Sequence, residues 1–379
     1  MKIVSIKPLL INKYLFVEIE TDSGLKGVGE SGTWGFLEAS ATAVDRFATY
    51  LQGKDPLTIE HHWQYMYRTQ HFRGAAIMGA LSAIDIALWD IKGQHFGVPV
   101  YELLGGKTRD RARVYYHTRG ETVEEVTRLC LEAKAQGFTA VGHLSPFLDE
   151  PRSKPYRETH AQMISRAIER IRIYREALGD EVDLCVEIHR KLSPADAIVL
   201  AQGIAQFHPM FYEDPVAPDN FDSMEWVAEH IDIPIATGER LHTLQEFAML
   251  IKRRAVHFVR PDVCLCGGIT GAKKIAALAE AFGIGVVPHN PLSPVSTAAC
   301  VQLAACIPNF TIQELPSMED KPPKSEVVHS DVKYDGRGYL IIPETPGIGA
   351  ALIGDSTRFP FEPRPIVARL HIDGSVVDD

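Results

Sequence analysis

The chain has 379 residues, 45% of them hydrophobic and 23% charged, which is enough for two domains or for one large domain with a cap. The formal net charge of −10 disfavours nucleic acid and anionic membranes as partners, because both attract clustered Lys and Arg. We expect a cytoplasmic protein without a membrane span, because no run approaches the roughly 18–20 apolar residues that a spanning helix needs and the N-terminus lacks the apolar core of a signal peptide.

The N-terminal part is predicted to form antiparallel strands followed by helices. Residues 15–20 alternate between apolar and polar, which indicates a strand, and a turn at 22–24 leads into a second strand. Apolar residues then recur every three or four positions over 77–91, which is typical of an amphipathic helix. The segment 27–32 reads GVGESG and matches G-x-G-x-x-G. We do not predict a dinucleotide site there, because the motif ends a hairpin strand and opens no helix.

From about residue 112, short apolar stretches alternate with helical ones. The helical stretches 123–137 and 271–283 both close in Gly, a common helix stop. Strands that alternate with helices pair in parallel, and eight of them predict a closed (β/α) barrel. The eight candidate strands are ARVYYHT, TAVGHL, DLCVEIH, MFYEDP, PIATGE, FVRPD, GVVPHN and FTIQEL.

Ionisable residues stand at or next to the carboxyl ends of six of these strands, 23 to 27 residues apart. In a barrel, successive strand ends meet at one mouth, where active sites lie, so we expect these side chains to converge. The alternative is a solvated loop for each residue, which would not keep a spacing of about one strand–helix unit each time. The six residues are Glu187, Glu213, Glu239, Asp262, His289 and Glu314.

Three carboxylates in one confined site repel one another unless a cation lies between them. Oxygen ligands favour a hard divalent ion, so Glu187, Glu213 and Glu239 are predicted to hold one Mg²⁺. For any one of them alone, a salt bridge would be the simpler explanation, and Arg240 stands beside Glu239. The six cysteines are scattered and are interpreted as buried reduced thiols rather than zinc ligands.

His289 and Asp262 are predicted to form a general base, because a carboxylate on one imidazole nitrogen fixes the tautomer and raises the basicity of the other nitrogen. The alternative is a buried core histidine bonded to an aspartate. His189, which shares a strand face with Glu187, would serve as the acid across the mouth. The reaction that fits is proton abstraction next to a carboxylate, with Glu314, if protonated, donating to the intermediate.

These residues resemble the enolase superfamily, mandelate racemase subgroup. The likeness covers nearly the whole chain and includes the segment 82–106 and, in the same order, VEIHRKLSP, FYEDPVAP, IATGERLHT, RPDVCLCGGIT, VVPHNPLSPVS and TIQEL. It implies an α/β fold, a (β/α)₇β TIM-like barrel under an α+β capping domain. The expected division is 1–111 for the cap, 112–317 for the barrel and 318–379 for a segment returning to the cap.

Within the subgroup, the chain resembles sugar-acid dehydratases, most of all those of the galactonate type. The resemblance implies Mg²⁺ on the three glutamates, the His289–Asp262 base, His189 as the acid for the departing 3-hydroxyl, and a homo-oligomer. An epimerase or racemase, a cycloisomerase on the same scaffold, and a non-catalytic binding relative are the alternatives.

Two positions depart from the subgroup's pattern. Glu187 replaces the usual Asp, and Gly142-His143 stands where racemases carry a Lys-x-Lys base, which disfavours racemisation. His143 is therefore a candidate substrate contact. Three further candidates for that role are Trp34, in the predicted capping loop, and Arg152 and Tyr156, in the long polar insertion 146–159.

Overall fold

The computed structural model describes residues 1–189, 192–317, 319–354 and 358–377. The N-terminal part pairs three antiparallel strands in the order β1-β2-β3 and packs them against helices, chiefly α3 on β3. Its elements are β1 (Ile3–Ile11), β2 (Tyr14–Thr21), β3 (Lys26–Glu30), α1 (Leu37–Leu51), α2 (Ile59–Arg68), α3 (Ala75–Phe96) and the short α4 (Val100–Leu103).

Glycines in the GVGESG segment allow β3 to lie directly on α3. A Cβ on Gly27 would be 2.2 Å from the carbonyl oxygen of Ala87, and one on Gly29 would be 1.9 Å from that of Ala83. These glycines therefore serve close packing of a strand on a helix, and the motif is not the start of a βαβ unit.

Eight parallel strands follow and close into a barrel. Seven pair in sequence order, and β11 returns to pair with β4. Between β10 and β11 the barrel closes through a parallel bridge of Val286 with Phe310, where the Thr311 N–H donates to the Val286 oxygen at 2.9 Å. The strands are β4 (Arg111–His117), β5 (Ala140–Leu144), β6 (Asp183–Glu187), β7 (Phe211–Glu213), β8 (Ile235–Thr237), β9 (Phe258–Val259), β10 (Gly285–Val286) and β11 (Gln313–Leu315).

Most helices of the barrel begin at a residue whose side chain caps the helix. Thr159 and Thr243 each form a full capping box, and Ser193 and Ser293 each cap a helix that starts with proline. These helices are α5 (Val123–Ala135), α6 (His160–Leu178), α7 (Pro194–Ile204) with a 3₁₀ turn (Ala205–Phe207), α8 (Phe221–Ala228), α9 (Leu244–Lys252), α10 (Gly268–Ala281) and α11 (Pro294–Cys306).

A buried apolar layer fills the barrel interior. Seven fully buried side chains form it, each from a different strand or strand end, with Met210 and Phe258 packed at its edge. This layer is typical of a filled barrel that keeps its polar groups at the mouth. Its members are Tyr115, Ala140, Cys185, Phe211, Ala236, Val287 and Ile312.

The C-terminal segment contacts both the N-terminal part and the barrel. β14 pairs antiparallel with β4, and residues 358–377 contact Asn12 through Phe359 and Tyr156 through Leu370. The division into 1–111, 112–317 and 318–379 stays a prediction, and a few positions of the last segment lie outside the described residues. The segment contains α12 (Lys324–Val327), β12 (Val328–Ser330), β13 (Lys333–Tyr334), β14 (Tyr339–Ile341) and β15 (Ala350–Leu352).

All six cysteines are buried and free. None of the helices in the described part of the chain has the length and apolar character needed to span a bilayer.

Candidate active site

Three glutamates from neighbouring strands meet at the mouth of the barrel. Glu187 ends β6, Glu213 ends β7, and Glu239 follows β8 by two residues. One carboxylate oxygen from each lies within 4.8 Å of the other two, and Glu187 and Glu213 are fully buried. The register of β6 with β7 places Glu187 directly opposite Glu213, which explains their proximity.

The residues of this triad fit a hard cation. Glu187 Oε1 and Glu213 Oε2 are buried, and neither accepts a hydrogen bond from the residues that the structure describes. Burial and the charges of Glu239 and Asp214 raise the pKa of Glu187 well above its usual range, and burial also raises the pKa of Glu213 despite its contact with Arg260. A divalent ion would satisfy the unpaired oxygens and remove the repulsion, and an all-oxygen donor set suits Mg²⁺.

His289 and Asp262 lie next to the triad. The Nδ1–H of His289 donates to Asp262 Oδ2 at 2.9 Å, and His289 Nε2 lies 3.4 Å from Glu239 Oε2. Burial alone would lower the pKa of His289, but the carboxylates of Glu239, Glu314 and Asp262 outweigh it and raise the pKa to about 9. The imidazole therefore presents Nε2 to the mouth as the nitrogen that can exchange a proton.

Glu314 accepts hydrogen bonds from three donors. Arg260 Nη2 and the Asn290 N–H each donate to Oε2 at 2.7 Å, and His117 Nε2 donates to Oε1 at 2.6 Å. Burial alone would raise the pKa of this carboxyl, but Arg260, His289 and His117 hold it well below its usual range. Glu314 is thus surrounded as a carboxylate, which does not fit the protonated donor expected from the sequence.

Sequence reasoning missed Arg260 and His117. Arg260 is 1% exposed; its Nε lies 2.5 Å from Glu213 Oε1 and its Nη1 donates to the Tyr115 hydroxyl at 2.8 Å. Arg260 stands two residues before Asp262. On a strand, residues two apart point to the same face, so this spacing could have placed Arg260 at the mouth. His117 is the last residue of β4, so the strand-end rule used for the other six positions would have found it.

Histidines line the side of the mouth formed by β4, β5 and β6. The ring of His143 lies 5.1 Å from that of His117 and 5.7 Å from that of His189, measured between centroids. His189 Nε2 is 3.9 Å from Glu239 Oε1, so His189 faces the triad from the side opposite β10. Both His143 and His189 have left-handed backbones, with φ of 49° and 56°, which is typical of strained functional positions.

The weaker candidates Trp34, Arg152 and Tyr156 have contacts with the C-terminal segment. The Trp34 ring is stacked by the guanidinium of Arg364, 4.4 Å from its centroid. Arg152 donates to the carbonyl oxygen of Val367, and the Tyr156 N–H donates to that of Leu370. Both residues therefore contact the C-terminal segment, against which the insertion 146–159 packs.

The chain is similar to known proteins over nearly its whole length. Residues 3–105 match the N-terminal domain of the mandelate racemase and muconate lactonizing enzyme family, and residues 125–356 match the enolase C-terminal domain-like family. A D-galactonate dehydratase of Variovorax paradoxus is 35% identical over 97% of this chain and 96% of its own.

Two solved structures share the whole fold. An enolase from Agrobacterium radiobacter with bound Na and L-malate aligns with a TM-score of 0.90 at 28% identity, covering 99% of each chain. The 3,6-anhydro-D-galactonate cycloisomerase of Zobellia galactanivorans aligns with a TM-score of 0.83 at 30% identity, covering 93% of this chain and 97% of its own.

Proposed function

Because the chain belongs to the mandelate racemase and muconate lactonizing enzyme family of the enolase superfamily, we propose that it dehydrates a sugar acid. The proposed substrate is an aldonate such as galactonate, and the product is the 2-keto-3-deoxy acid. The proposal rests on one arrangement above all. A carboxylate triad stands between two histidines. His289 Nε2 lies 3.4 Å from Glu239 Oε2, and His189 Nε2 lies 3.9 Å from Glu239 Oε1.

Glu187, Glu213 and Glu239 would hold Mg²⁺. When bound, the ion supplies a Lewis acid that stabilises negative charge developing on the substrate's carboxylate. The longer Glu at 187, in place of the Asp usual in the subgroup, still brings an oxygen within 4.8 Å of its two partners. The substitution is therefore compatible with a three-carboxylate site.

The first step assigned to the protein is removal of the proton next to the carboxylate by His289. Asp262 is 1% exposed, accepts the Nδ1–H of His289 and is itself held by the Cys264 N–H at 2.7 Å. This fixes the orientation of the ring and directs Nε2 towards the mouth, and Nε2 is the atom that takes the proton when the ring is in its neutral form. The arrangement also orients the resulting imidazolium against a carboxylate, which stabilises it.

The second step is departure of the 3-hydroxyl. A hydroxide is a poor leaving group, so a donor must protonate it as the C–O bond breaks. We assign this role to His189, whose Nε2 lies 3.9 Å from Glu239 Oε1, on the other side of the triad from His289. The sequence suggested Glu314 as a protonated donor to the intermediate. We assign it a positioning role instead, because as a carboxylate it accepts hydrogen bonds from Arg260, His117 and the Asn290 N–H.

A panel of aldonates and aldarates, incubated with Mg²⁺ and assayed for 2-keto acid as its semicarbazone, tests the proposed reaction. We expect turnover of at least one aldonate. His189→Asn should block dehydration while His289 still exchanges the substrate's α-proton in deuterated water. His289→Asn should lose both activities. Release of 2-keto acid by the His289→Asn variant at the wild-type rate would contradict the proposal.

A cycloisomerase is the second candidate, because one structural relative carries that name at 30% identity. It shares proton abstraction next to a carboxylate but retains all atoms of the substrate. Exchange of the α-proton without 2-keto-acid release from any aldonate, together with a product of unchanged mass, would favour it.

A further inference from the structure

Three side chains of the mouth outside the triad form a separate cluster, from strands β4, β5 and β11. One nitrogen each from His117 and His143 and one oxygen from Glu314 lie within 4.8 Å of one another. His117 Nε2 and Glu314 Oε1 are already in contact at 2.6 Å. None of the steps proposed above uses these three groups together.

The fold places His143 in this cluster by means of a local irregularity. The pairing of β5 with β6 shifts register between Val141 and Leu144, and His143 at that shift has a left-handed φ of 49°. The preceding Gly142 leaves room for the ring of Tyr115, whose Cδ2 would be 2.1 Å from any Cβ at that position. A register shift of this kind re-aims a side chain next to a site, here towards His117.

We propose that His117, His143 and Glu314 form a second metal site, which takes a transition ion such as Zn²⁺. Two imidazoles and one carboxylate are a donor set that zinc uses with a fourth position left open. Imidazole nitrogen suits Zn²⁺, whereas the all-oxygen triad suits Mg²⁺, so the two sites differ in the ions they prefer. The ligand atoms of a tetrahedral zinc lie about 3.3 Å from one another. Small rotations of these three side chains would bring their ligand atoms to that separation.

The charges around the cluster set the strength of this site. Two positively charged side chains act on the cluster: Arg119 interacts electrostatically with His143, and Arg260 contacts Glu314. Arg260 opposes a cation, since it donates to the other oxygen of Glu314 at 2.7 Å. Arg119 is balanced in part by Asp149, 2.9 Å away. We therefore infer reversible binding, which a chelator undoes, and not a permanent structural ion.

Occupation of the site would inhibit the enzyme, a consequence that rests on the proposed function. His143 is the candidate substrate contact on this side of the mouth, and Glu314 organises Arg260 and His117. An ion on both residues would remove them from any part in binding a sugar acid. Micromolar zinc would then lower turnover even with Mg²⁺ in excess.

Zinc binding itself can be measured without any substrate. Calorimetric titration with ZnCl₂ is carried out on three variants. The first is Glu187→Gln, which weakens metal binding by the triad. The other two add His143→Asn or His230→Asn to that substitution. His230 is an exposed histidine just after α8, and it serves as the matched control. We expect one zinc per chain in Glu187→Gln, an affinity at least about 100-fold lower with His143→Asn, and no change with His230→Asn.

Two results would overturn the second site. Loss of all zinc binding in Glu187→Gln would place the ion in the triad, and binding that His143→Asn leaves unchanged would place it elsewhere. Thermal melts of each variant identify unfolding, and an anomalous difference peak between His117, His143 and Glu314 in zinc-soaked crystals locates the ion directly. Because none of these measurements needs turnover, the site can be rejected or supported even if no aldonate is a substrate.

Discussion

Gly32 of the N-terminal part lies directly against Asp262 of the barrel, since a Cβ at Gly32 would be 3.0 Å from Asp262 Oδ2 and 3.1 Å from Oδ1. The Gly32 N–H also donates to the Cys264 oxygen at 2.7 Å. The loop after β3 therefore packs on the carboxylate that orients His289. Two parts of the chain separated by more than two hundred residues jointly fix the proposed base.

Gly32→Ala should lower kcat while leaving the fold intact. The added methyl group forces the loop or the Asp262 carboxylate to move by a few tenths of an ångström, and small misplacements of catalytic groups are costly. We expect a loss of about tenfold in kcat with a small change in melting temperature. Gly74→Ala is the control, because a Cβ there meets nothing within 4 Å. Equal kcat values for the two variants would show that the contact with Asp262 is unimportant.

Asp262→Asn tests the orientation of His289. The amide can donate to Nδ1, which favours the tautomer that carries its proton on Nε2 and so cannot accept one there. By analogy with other carboxylate–imidazole pairs, kcat should fall by about 10³–10⁴-fold. Exchange of the substrate's α-proton in deuterated water should fall in parallel. A variant that retained exchange would show that His289 does not depend on Asp262.

Mg²⁺ should stabilise the protein more at pH 8 than at pH 5.5. Without metal, the raised pKa values of Glu187 and Glu213 mean that the folded state binds protons more tightly than the unfolded state. That contribution to stability is present at low pH and is lost as the pH rises above the unfolded value of 4.5. Protons compete with the metal at low pH, so its effect should grow with pH.

The measurement is a pair of melting curves, with and without Mg²⁺, at each pH. At a hundredfold excess over its dissociation constant the ion should add about 2.7 kcal/mol to the free energy of unfolding. Glu213→Gln should abolish this response together with Mg²⁺-dependent turnover. A Mg²⁺ response of normal size in Glu213→Gln would remove that residue from the metal site.

Glu30 should make stability fall with rising pH. It is fully buried, accepts hydrogen bonds from Ser293 Oγ at 2.6 Å and the Ser296 N–H at 3.2 Å, and burial raises its pKa to about 8. Because the folded pKa exceeds the unfolded one, its contribution is fully present below about pH 4.5 and is lost progressively up to about pH 8.

Glu30→Gln keeps an acceptor for these hydrogen bonds but does not ionise. We expect it to match the wild type near pH 5 and to exceed it at pH 8 by a few kcal/mol in the free energy of unfolding, measured by urea titration. Glu38→Gln, at an exposed position of α1, should leave the pH dependence unchanged. Parallel curves for the wild type and Glu30→Gln would exclude Glu30 as the source of the pH dependence.

Much of the fold followed from periodicity. The eight candidate strands correspond to β4–β11, although β9 and β10 are only two residues long, so Asp262 and His289 lie beyond the ends of their strands. The sequence did not reveal β1, because 3–11 lacks a clean alternation, or the pairing of β14 with β4. Pairing between distant segments depends on long-range contacts that local patterns do not encode.

By itself, the sequence determined which side chains face the mouth of the barrel, because strand period and a constant spacing fix the phase of Glu187, Glu213 and Glu239. Only the tertiary structure decided which groups touch one another. It placed Arg260 between Glu213 and Glu314 and brought Arg260, His117 and the Asn290 N–H to Glu314, which favours the carboxylate form of that residue over the acid. The physical reason is that ionisation depends on burial and on charges a few ångströms away, and those neighbours come from strands far apart in the chain.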